Sequence, residues 1–181
     1  MLDHTIDEEP EIDEEIDFER GSLIQAQLPN PLVFETSYGS GDKPHHFFDY
    51  STSIPVVSGL FADALRAVGI DNFELFPAVL RNPETGAEWG NYFAFNVLGL
   101  VDATDLESSR YSEIMAGNED GEPALVSFDV LALKRDLLSG LEMFREPNGG
   151  CLVMSERAIR TVLASSPEEG FGIIAHEVVL T

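Results

Sequence analysis

The sequence predicts an α+β fold in which a few helices pack on one face of a mixed, largely antiparallel sheet. Segments with strand-like patterns outnumber helical ones, and the two kinds do not alternate regularly as they do in parallel βαβ folds. In addition, 44% of the 181 residues are hydrophobic, which supplies enough apolar side chains for one core. We therefore divide the chain into an acidic N-terminal segment, residues 1–21, and a single globular domain, residues 22–181.

The strand predictions rest on short runs of Phe, Val, Ile and Leu, which fit a half-buried pleated surface. A hairpin is expected between Leu80 and Tyr92, because Pro83 and Gly86 supply the fixed and the positive backbone torsions of a reversing loop. The predicted strands are Leu32 to Thr36, Phe73 to Leu80, Tyr92 to Val101, Leu125 to Leu133, Cys151 to Met154 and Phe171 to Leu180.

Two helices are predicted where an N-cap residue precedes apolar residues at helical spacing. The first begins after Ser58 and ends near Gly69. The second begins after Ser155 and ends before Pro167, which cannot continue a helix. Both helices have one apolar stripe, so each is expected to bury one side against the sheet.

The charge of the chain restricts its partners. It carries 33 acidic and 10 basic side chains, a net charge of -23. A surface this negative repels phosphate backbones and anionic membranes, and it speeds encounters with positively charged macromolecules. The composition therefore argues against nucleic acid and membranes as partners and predicts a basic protein partner.

The acid is concentrated near the N-terminus. Between residues 3 and 19 ten side chains are acidic and none is basic, until Arg20 ends the run. This density is typical of a solvated or disordered tail, yet Ile12 and Ile16 would share one face of a helix and provide an apolar anchor. A docked and a disordered segment are both consistent with this pattern. The candidate partner contacts in the segment are Glu11, Glu14 and Glu15.

No motif indicates catalysis, a metal or a cofactor. His176-Glu177 lacks the second histidine of a zinc-peptidase helix and falls in the last predicted strand. The single cysteine, Cys151, lies in an apolar run and is interpreted as a small buried hydrophobe in a reducing compartment. The first residues lack the basic start and apolar stretch of a secretion signal. We therefore expect a cytoplasmic protein that is not an enzyme and has no catalytic residues, metal or cofactor.

One part of the chain carries a recognisable pattern. Residues 76–80, 91–97 and 101–109 read Phe-Pro-Ala-Val-Leu, Asn-Tyr-Phe-Ala-Phe-Asn-Val and Val-Asp-Ala-Thr-Asp-Leu-Glu-Ser-Ser. Together with the capped helix before them and Val153-Met154-Ser155-Glu156 after them, they resemble a bacterial immunity-protein family, the eleventh in the polymorphic-toxin classification. The resemblance extends from about Leu32 to Phe171 and leaves the acidic segment outside.

The resemblance implies a cytoplasmic antidote that binds a cognate toxin and blocks it without performing chemistry. Asp102 and Asp105 of its motif are candidate partner contacts, with the alternative that they serve a loop and cap a helix from Leu106 to Met115. Trp89, the only tryptophan, lies beside the hairpin turn. It is a candidate exposed hot spot, with the alternative that it covers the edge of the core.

Two other classes of function remain open at this point. An inhibitor that mimics nucleic acid would need acidic side chains in two regular rows on the folded surface. A small hydrolase with a carboxylate pair would need a deep pocket that holds two acids with perturbed pKa values. The sequence shows clusters of acids rather than rows, and 33 acidic residues produce carboxylate pairs by chance.

Overall fold

The structure, a computed structural model, describes residues 5–36, 43–49, 52–115, 125–168 and 170–181. Its helices are α1, Gly59–Ala67, and α2, Glu156–Ala164, and a short 3-10 turn covers Arg135–Leu138. Its strands are β1 Ile6–Glu8, β2 Leu32–Thr36, β3 Phe47–Phe48, β4 Val56–Ser58, β5 Phe73–Arg81, β6 Glu88–Val97, β7 Arg110–Met115, β8 Leu125–Val130, β9 Ala132–Leu133, β10 Met143–Arg145, β11 Leu152–Met154 and β12 Val179–Leu180.

Six strands form the main sheet, in the order β1-β2-β5-β6-β4-β3. β2 and β5 run parallel, and the other neighbours run antiparallel. The predicted hairpin is confirmed as β5 and β6. Its turn is closed by the Asn82 side chain, whose Oδ1 accepts hydrogen bonds from the backbone N–H of Glu84 and Thr85 at 2.9 and 3.1 Å. A mixed, largely antiparallel sheet with two helices confirms the predicted α+β class.

Both helices begin at the predicted cap residues. The Ser58 hydroxyl accepts a hydrogen bond from the Phe61 N–H, and the Ser155 hydroxyl accepts one from the Ala158 N–H, each at 3.1 Å. Each cap therefore satisfies one N–H that the first turn of its helix leaves without a partner. The buried residues of both helices belong to one apolar cluster, which also contains Val57, Phe95 and Val97 of the sheet.

The alternation of side chains along β6 separates the two faces of the sheet. Phe93, Phe95 and Val97 pack in the cluster that contains the helices. Tyr92 and Ala94 point to the opposite face and join a second cluster with residues of β2, β4 and β5. Phe18, from the acidic segment, is also a buried member of this second cluster. The sheet is thus covered by helices on one face and by the N-terminal segment on the other.

The predicted helix from Leu106 to Met115 is wrong. Residues 106–108 form a turn, and residues 110–115 form β7, which pairs with β8. Asp105 holds the turn because its carboxylate accepts a hydrogen bond from the Ser108 N–H at 3.2 Å and its carbonyl accepts one from the Ser109 hydroxyl at 2.7 Å. Serines that bond locally in this way favour turns over helix interiors.

The long strand predicted from Phe171 to Leu180 is also wrong, and with it the placement of His176 in a strand. Only β12 pairs, in parallel with β9. Gly170 and Gly172 adopt φ values of +77° and +79°, which interrupt an extended chain, and Ile174 is 83% exposed. The predicted strand from Leu125 to Leu133 is interrupted at Leu131, which separates β8 from β9.

Candidate partner-binding surface

The acidic segment packs against the second face of the sheet. Ile6 pairs with Thr36 as β1 joins β2. Phe18 is only 1% exposed, and its ring meets that of Phe76 edge to face, with centroids 5.7 Å apart. Ile12 and Ile16 are partly buried against the same cluster. The isoleucines and the phenylalanine that interrupt the acidic run therefore attach it to the core.

Polar contacts hold the segment at Glu9 and the chain directly after it at Ser22. The Glu9 carboxylate accepts hydrogen bonds from the Thr52 hydroxyl at 2.5 Å, the Ser53 N–H at 2.7 Å and the Ser53 hydroxyl. On β6, the amide of buried Asn96 donates to the Ser22 carbonyl at 2.8 Å. Multiple hydrogen bonds of this kind fix the backbone, so the acidic side chains are presented from a defined position.

The segment leaves the sheet through a close backbone contact at Gly21. Gly21 has φ +67° and accepts a hydrogen bond from the Gly99 N–H at 2.9 Å. A Cβ at this position would lie 2.5 Å from the Leu100 nitrogen, closer than atoms can approach. Position 21 therefore requires glycine for both its conformation and its space.

Glu11, Glu14 and Glu15 are exposed, and none of them forms an ion pair within the described part of the chain. The backbone around them forms a tight turn, in which the Ile16 N–H donates to the Asp13 carbonyl at 2.9 Å. Their charges are therefore not neutralised by these contacts and face solvent from an anchored turn. Such carboxylates are available for a cation of a partner.

Two open depressions lie beside this turn. The first, of about 480 Å³, is lined by Glu11, Ile12, Asp13, Ile16, Ala26, Gln27, Leu28 and Pro29. The second, of about 310 Å³, is lined by Ile12, Asp13, Glu14, Ile16, Asp17, Glu19, Arg20, Ser53 and Ile54. The structure thus brings Glu11 and Glu14 to the edges of neighbouring depressions. Glu15 lines neither.

Below Glu19 lies a buried ion pair that the sequence analysis missed. Arg145 is 1% exposed, and its guanidinium donates to both carboxylate oxygens of Asp49 at 2.6 and 2.9 Å. Burial raises the pKa of the Glu19 carboxyl, and Asp49 and Asp17 act in the same direction, whereas Arg145 opposes them. The only available signal was a charged residue at the end of the apolar run Met143-Phe144, which did not reveal its partner.

The next residue, Glu146, is also buried. Its carboxylate accepts hydrogen bonds from the Thr104 hydroxyl at 2.5 Å and from the backbone N–H groups of Asn148 and Gly149 at 2.7 and 2.8 Å. Cys151 is half-buried nearby, and burial followed by the charge of Glu146 raises the pKa of its thiol. A thiol held in its neutral form is a poor nucleophile.

Trp89 is half-buried rather than prominent. It lies on β6 opposite Leu80 and packs against the second cluster, which Ile12 and Ile16 also contact. Trp89 therefore covers the edge of the core on the face of the sheet that carries the acidic segment. Its remaining exposed surface is open to contact.

Asp102 and Asp105 belong to a different part of the molecule. Asp102 is exposed, and Asp105 is half-buried where it closes the turn before β7. The hydrogen bond from Ser108 lowers the pKa of the Asp105 carboxyl. Ala103, between the two aspartates, is buried in a third cluster with Leu131, Leu133, Phe144 and Val153. The structure does not place these aspartates in either depression beside the acidic turn.

The described part of the chain lacks two other kinds of feature. Within the described ranges, no group of three or more histidine, cysteine, aspartate or glutamate side chains is arranged to hold a metal ion. No helix among the same residues is long and apolar enough to cross a membrane.

The fold and this surface define an acidic α+β protein that displays carboxylates from a segment fixed to its sheet. The model of the immunity protein family Imm11 matches residues 3–173, and the chain belongs to this family. The match includes the acidic segment, which the resemblance noted in the sequence had left outside. A search of curated proteins gave no match.

Proposed function

We propose that this protein protects its bacterial host by binding a cognate toxin in the cytoplasm and blocking it without performing chemistry. The observation that carries this proposal is membership of the Imm11 immunity protein family over residues 3–173. The partner is expected to be basic, because the chain has a net charge of -23. A charge of this size accelerates association with a cationic protein and repels nucleic acids.

The anchored acidic turn is the contact surface we propose first, through Glu11, Glu14 and Glu15. Because the segment is packed on the sheet, little conformational entropy is lost when a partner binds, which favours affinity. Trp89 is proposed as an aromatic contact on the same face of the sheet. Asp102 and Asp105 are proposed as a separate, second contact, with Asp102 the more accessible of the two.

The experiment has two steps. The tagged protein is used to capture its partner from its native cells at low and at high salt, and mass spectrometry identifies what is retained. The captured protein is then expressed in a neutral host with and without this protein. We expect the captured protein to be basic, to be lost at high salt and to stop growth only when expressed alone, because screening weakens exposed charge pairs.

Failure to rescue growth would contradict the proposal directly. Whether inhibition is non-catalytic is tested with the purified toxin and the purified antidote, mixed at increasing ratios. Inhibition should reach completion at a stoichiometric ratio, whereas an enzyme that modifies the toxin would inactivate an excess of it over time. Progressive inactivation at a substoichiometric ratio would show that the protein acts catalytically.

A further inference from the structure

The two depressions beside the acidic turn share part of their lining. Ile12, Asp13 and Ile16 line both of them, so the depressions are direct neighbours at the turn. We call the two depressions together the acidic groove and define it by the residues that line them. Its position follows from the packing of Ile12 and Ile16 on the second cluster of the core.

Part of the lining of the acidic groove is aliphatic. Ile12, Ile16 and Leu28 line it and are only partly buried by the core, whereas Ile54, which lines the second depression, is 2% exposed. Covering an aliphatic surface that is in contact with water is favourable, so a partner that covers it binds more tightly. A purely ionic ligand would leave this gain unrealised.

The rim of the groove carries uncompensated negative charge. Four carboxylates, those of Asp13, Glu14, Asp17 and Glu19, line the second depression together with a single cation, Arg20. Arg20 is paired with Asp17, its Nε lying 3.3 Å from Oδ2. The pKa of the Glu19 carboxyl is raised mainly by burial, is lowered by Arg145 and is raised further by Asp49 and Asp17. A cation entering here would be attracted by several carboxylates at once.

Lysine and arginine side chains match both features of the groove, its aliphatic lining and its negative charge. Their methylene stems pack on apolar surfaces while their charged ends stay among polar groups. We propose that the acidic groove binds a segment of the toxin in which basic side chains alternate with aliphatic ones. This inference rests on the proposed function, because it takes the partner to be a basic protein, and it adds which part of that protein is recognised and where.

A peptide probe tests the groove without knowledge of the toxin. The full chain, with labelled isoleucine methyl groups, is titrated with a synthetic peptide that alternates lysine and leucine, and separately with one that alternates lysine and serine at equal length and charge. At about 150 mM salt, where exposed charges are screened beyond about 8 Å, we expect the leucine peptide to bind roughly tenfold more tightly. Its binding should shift the methyl resonances of the partly buried Ile12 and Ile16 and leave that of Ile70, which is buried with the helices, in place.

Matched variants separate the groove from the overall charge. Glu11→Lys with Glu14→Lys reverses two exposed charges at the groove, and Glu168→Lys with Glu177→Lys reverses two exposed charges elsewhere. The first pair should weaken binding of the leucine peptide by at least about tenfold, and the second by no more than about twofold. Equal affinity for the two peptides, equal effects of the two variant pairs, or shifts confined to other isoleucines would overturn the proposal. Affinity for a small polyamine that equals that for the leucine peptide would also overturn it, because a polyamine bears no aliphatic side chains.

The same variants distinguish this proposal from the proposed function. If the unmodified protein rescues growth and the Glu11→Lys, Glu14→Lys protein rescues it equally, the groove is not the binding site although the protein is an antidote. If the unmodified protein gives no rescue, the proposed function itself fails, whatever the peptides do.

Discussion

The guanidinium of Arg145 and the carboxylate of Asp49 form a bidentate ion pair, with nitrogen to oxygen distances of 2.6 and 2.9 Å. Arg145 lies in β10, and Asp49 follows β3 at the edge of the main sheet, 96 residues earlier in the chain. Arg145 also donates to the Gly150 carbonyl at 2.9 Å. This pair therefore ties the sheet edge to the β10–β11 hairpin, and it lies close to Glu19 of the acidic segment.

Removal of the Arg145 side chain should destabilise the protein strongly. Breaking a buried pair costs about 3–5 kcal/mol because the remaining charge stays buried. We expect Arg145→Met to lose about 3 kcal/mol, at the lower end, because the Asp49 side chain is 18% exposed and can regain some water. Denaturant unfolding measures this loss. The double variant Arg145→Met, Asp49→Leu should recover part of the lost unfolding free energy. An Arg145→Met protein as stable as the parent would show that the ion pair does not stabilise the fold.

Phe18 should be the main apolar anchor of the acidic segment. Phe18→Ala is expected to lower the free energy of unfolding by about 3–5 kcal/mol, the range for deleting a buried phenylalanine ring. Leu23→Ala is the matched control, since Leu23 is 60% exposed and its loss should change stability by less than about 0.5 kcal/mol. If both variants unfold at the same denaturant concentration as the parent, the segment is not docked in solution.

The features that the sequence predicted well depend on neighbouring residues. Ser58 and Ser155 cap helices through N–H groups three residues away, and Asn82 closes a turn with the next few residues. Contacts over so short a distance leave a local signature of residue type and spacing. The β5–β6 hairpin was predictable for the same reason.

Features that depend on distant residues were not predictable. Nothing near Arg145 in the sequence indicates Asp49, and the composition of the acidic segment suggested a solvated tail as readily as a docked one. The few apolar side chains in that segment dock it because they pack against an apolar face of the sheet. Residues of β2, β4, β5 and β6, which are distant in sequence, form this face. Likewise, residues 110–115 form a strand because β8 pairs with them.

Glu19 should give the stability of the protein a distinct pH dependence. The pKa of its carboxyl is raised above the ordinary value of 4.5, chiefly by burial, so the folded state holds its proton at pH values where the unfolded state has released it. The contribution of Glu19 to stability is therefore greatest at acid pH and is lost as the pH rises from about 4.5 through the folded pKa.

The comparison of the parent with Glu19→Gln isolates this effect. The difference in unfolding free energy, parent minus variant, should fall as the pH rises from about 4 to about 7. A carboxyl group with a raised pKa titrates within this range. Glu15→Gln provides the control, because Glu15 is exposed on the same segment and forms no ion pair among the described residues. A difference that rises with pH would mean that Arg145 outweighs burial and that the pKa of Glu19 is lowered.

Tyr92 should resist ionisation at alkaline pH. Burial raises the pKa of its hydroxyl to about 12 from the ordinary 10.0, and the hydroxyl donates to the His45 carbonyl at 3.0 Å. Between these two pH values the unfolded state loses the proton while the folded state keeps it, so stability falls as the pH rises through this window.

Tyr92→Phe removes the effect and costs about 1 kcal/mol near neutral pH through loss of the hydrogen bond. Denaturant unfolding at pH 8 and at about pH 11 measures both changes, and the two proteins should differ less at the higher pH. A parent that loses no more stability than Tyr92→Phe over this range would show that the Tyr92 hydroxyl ionises normally.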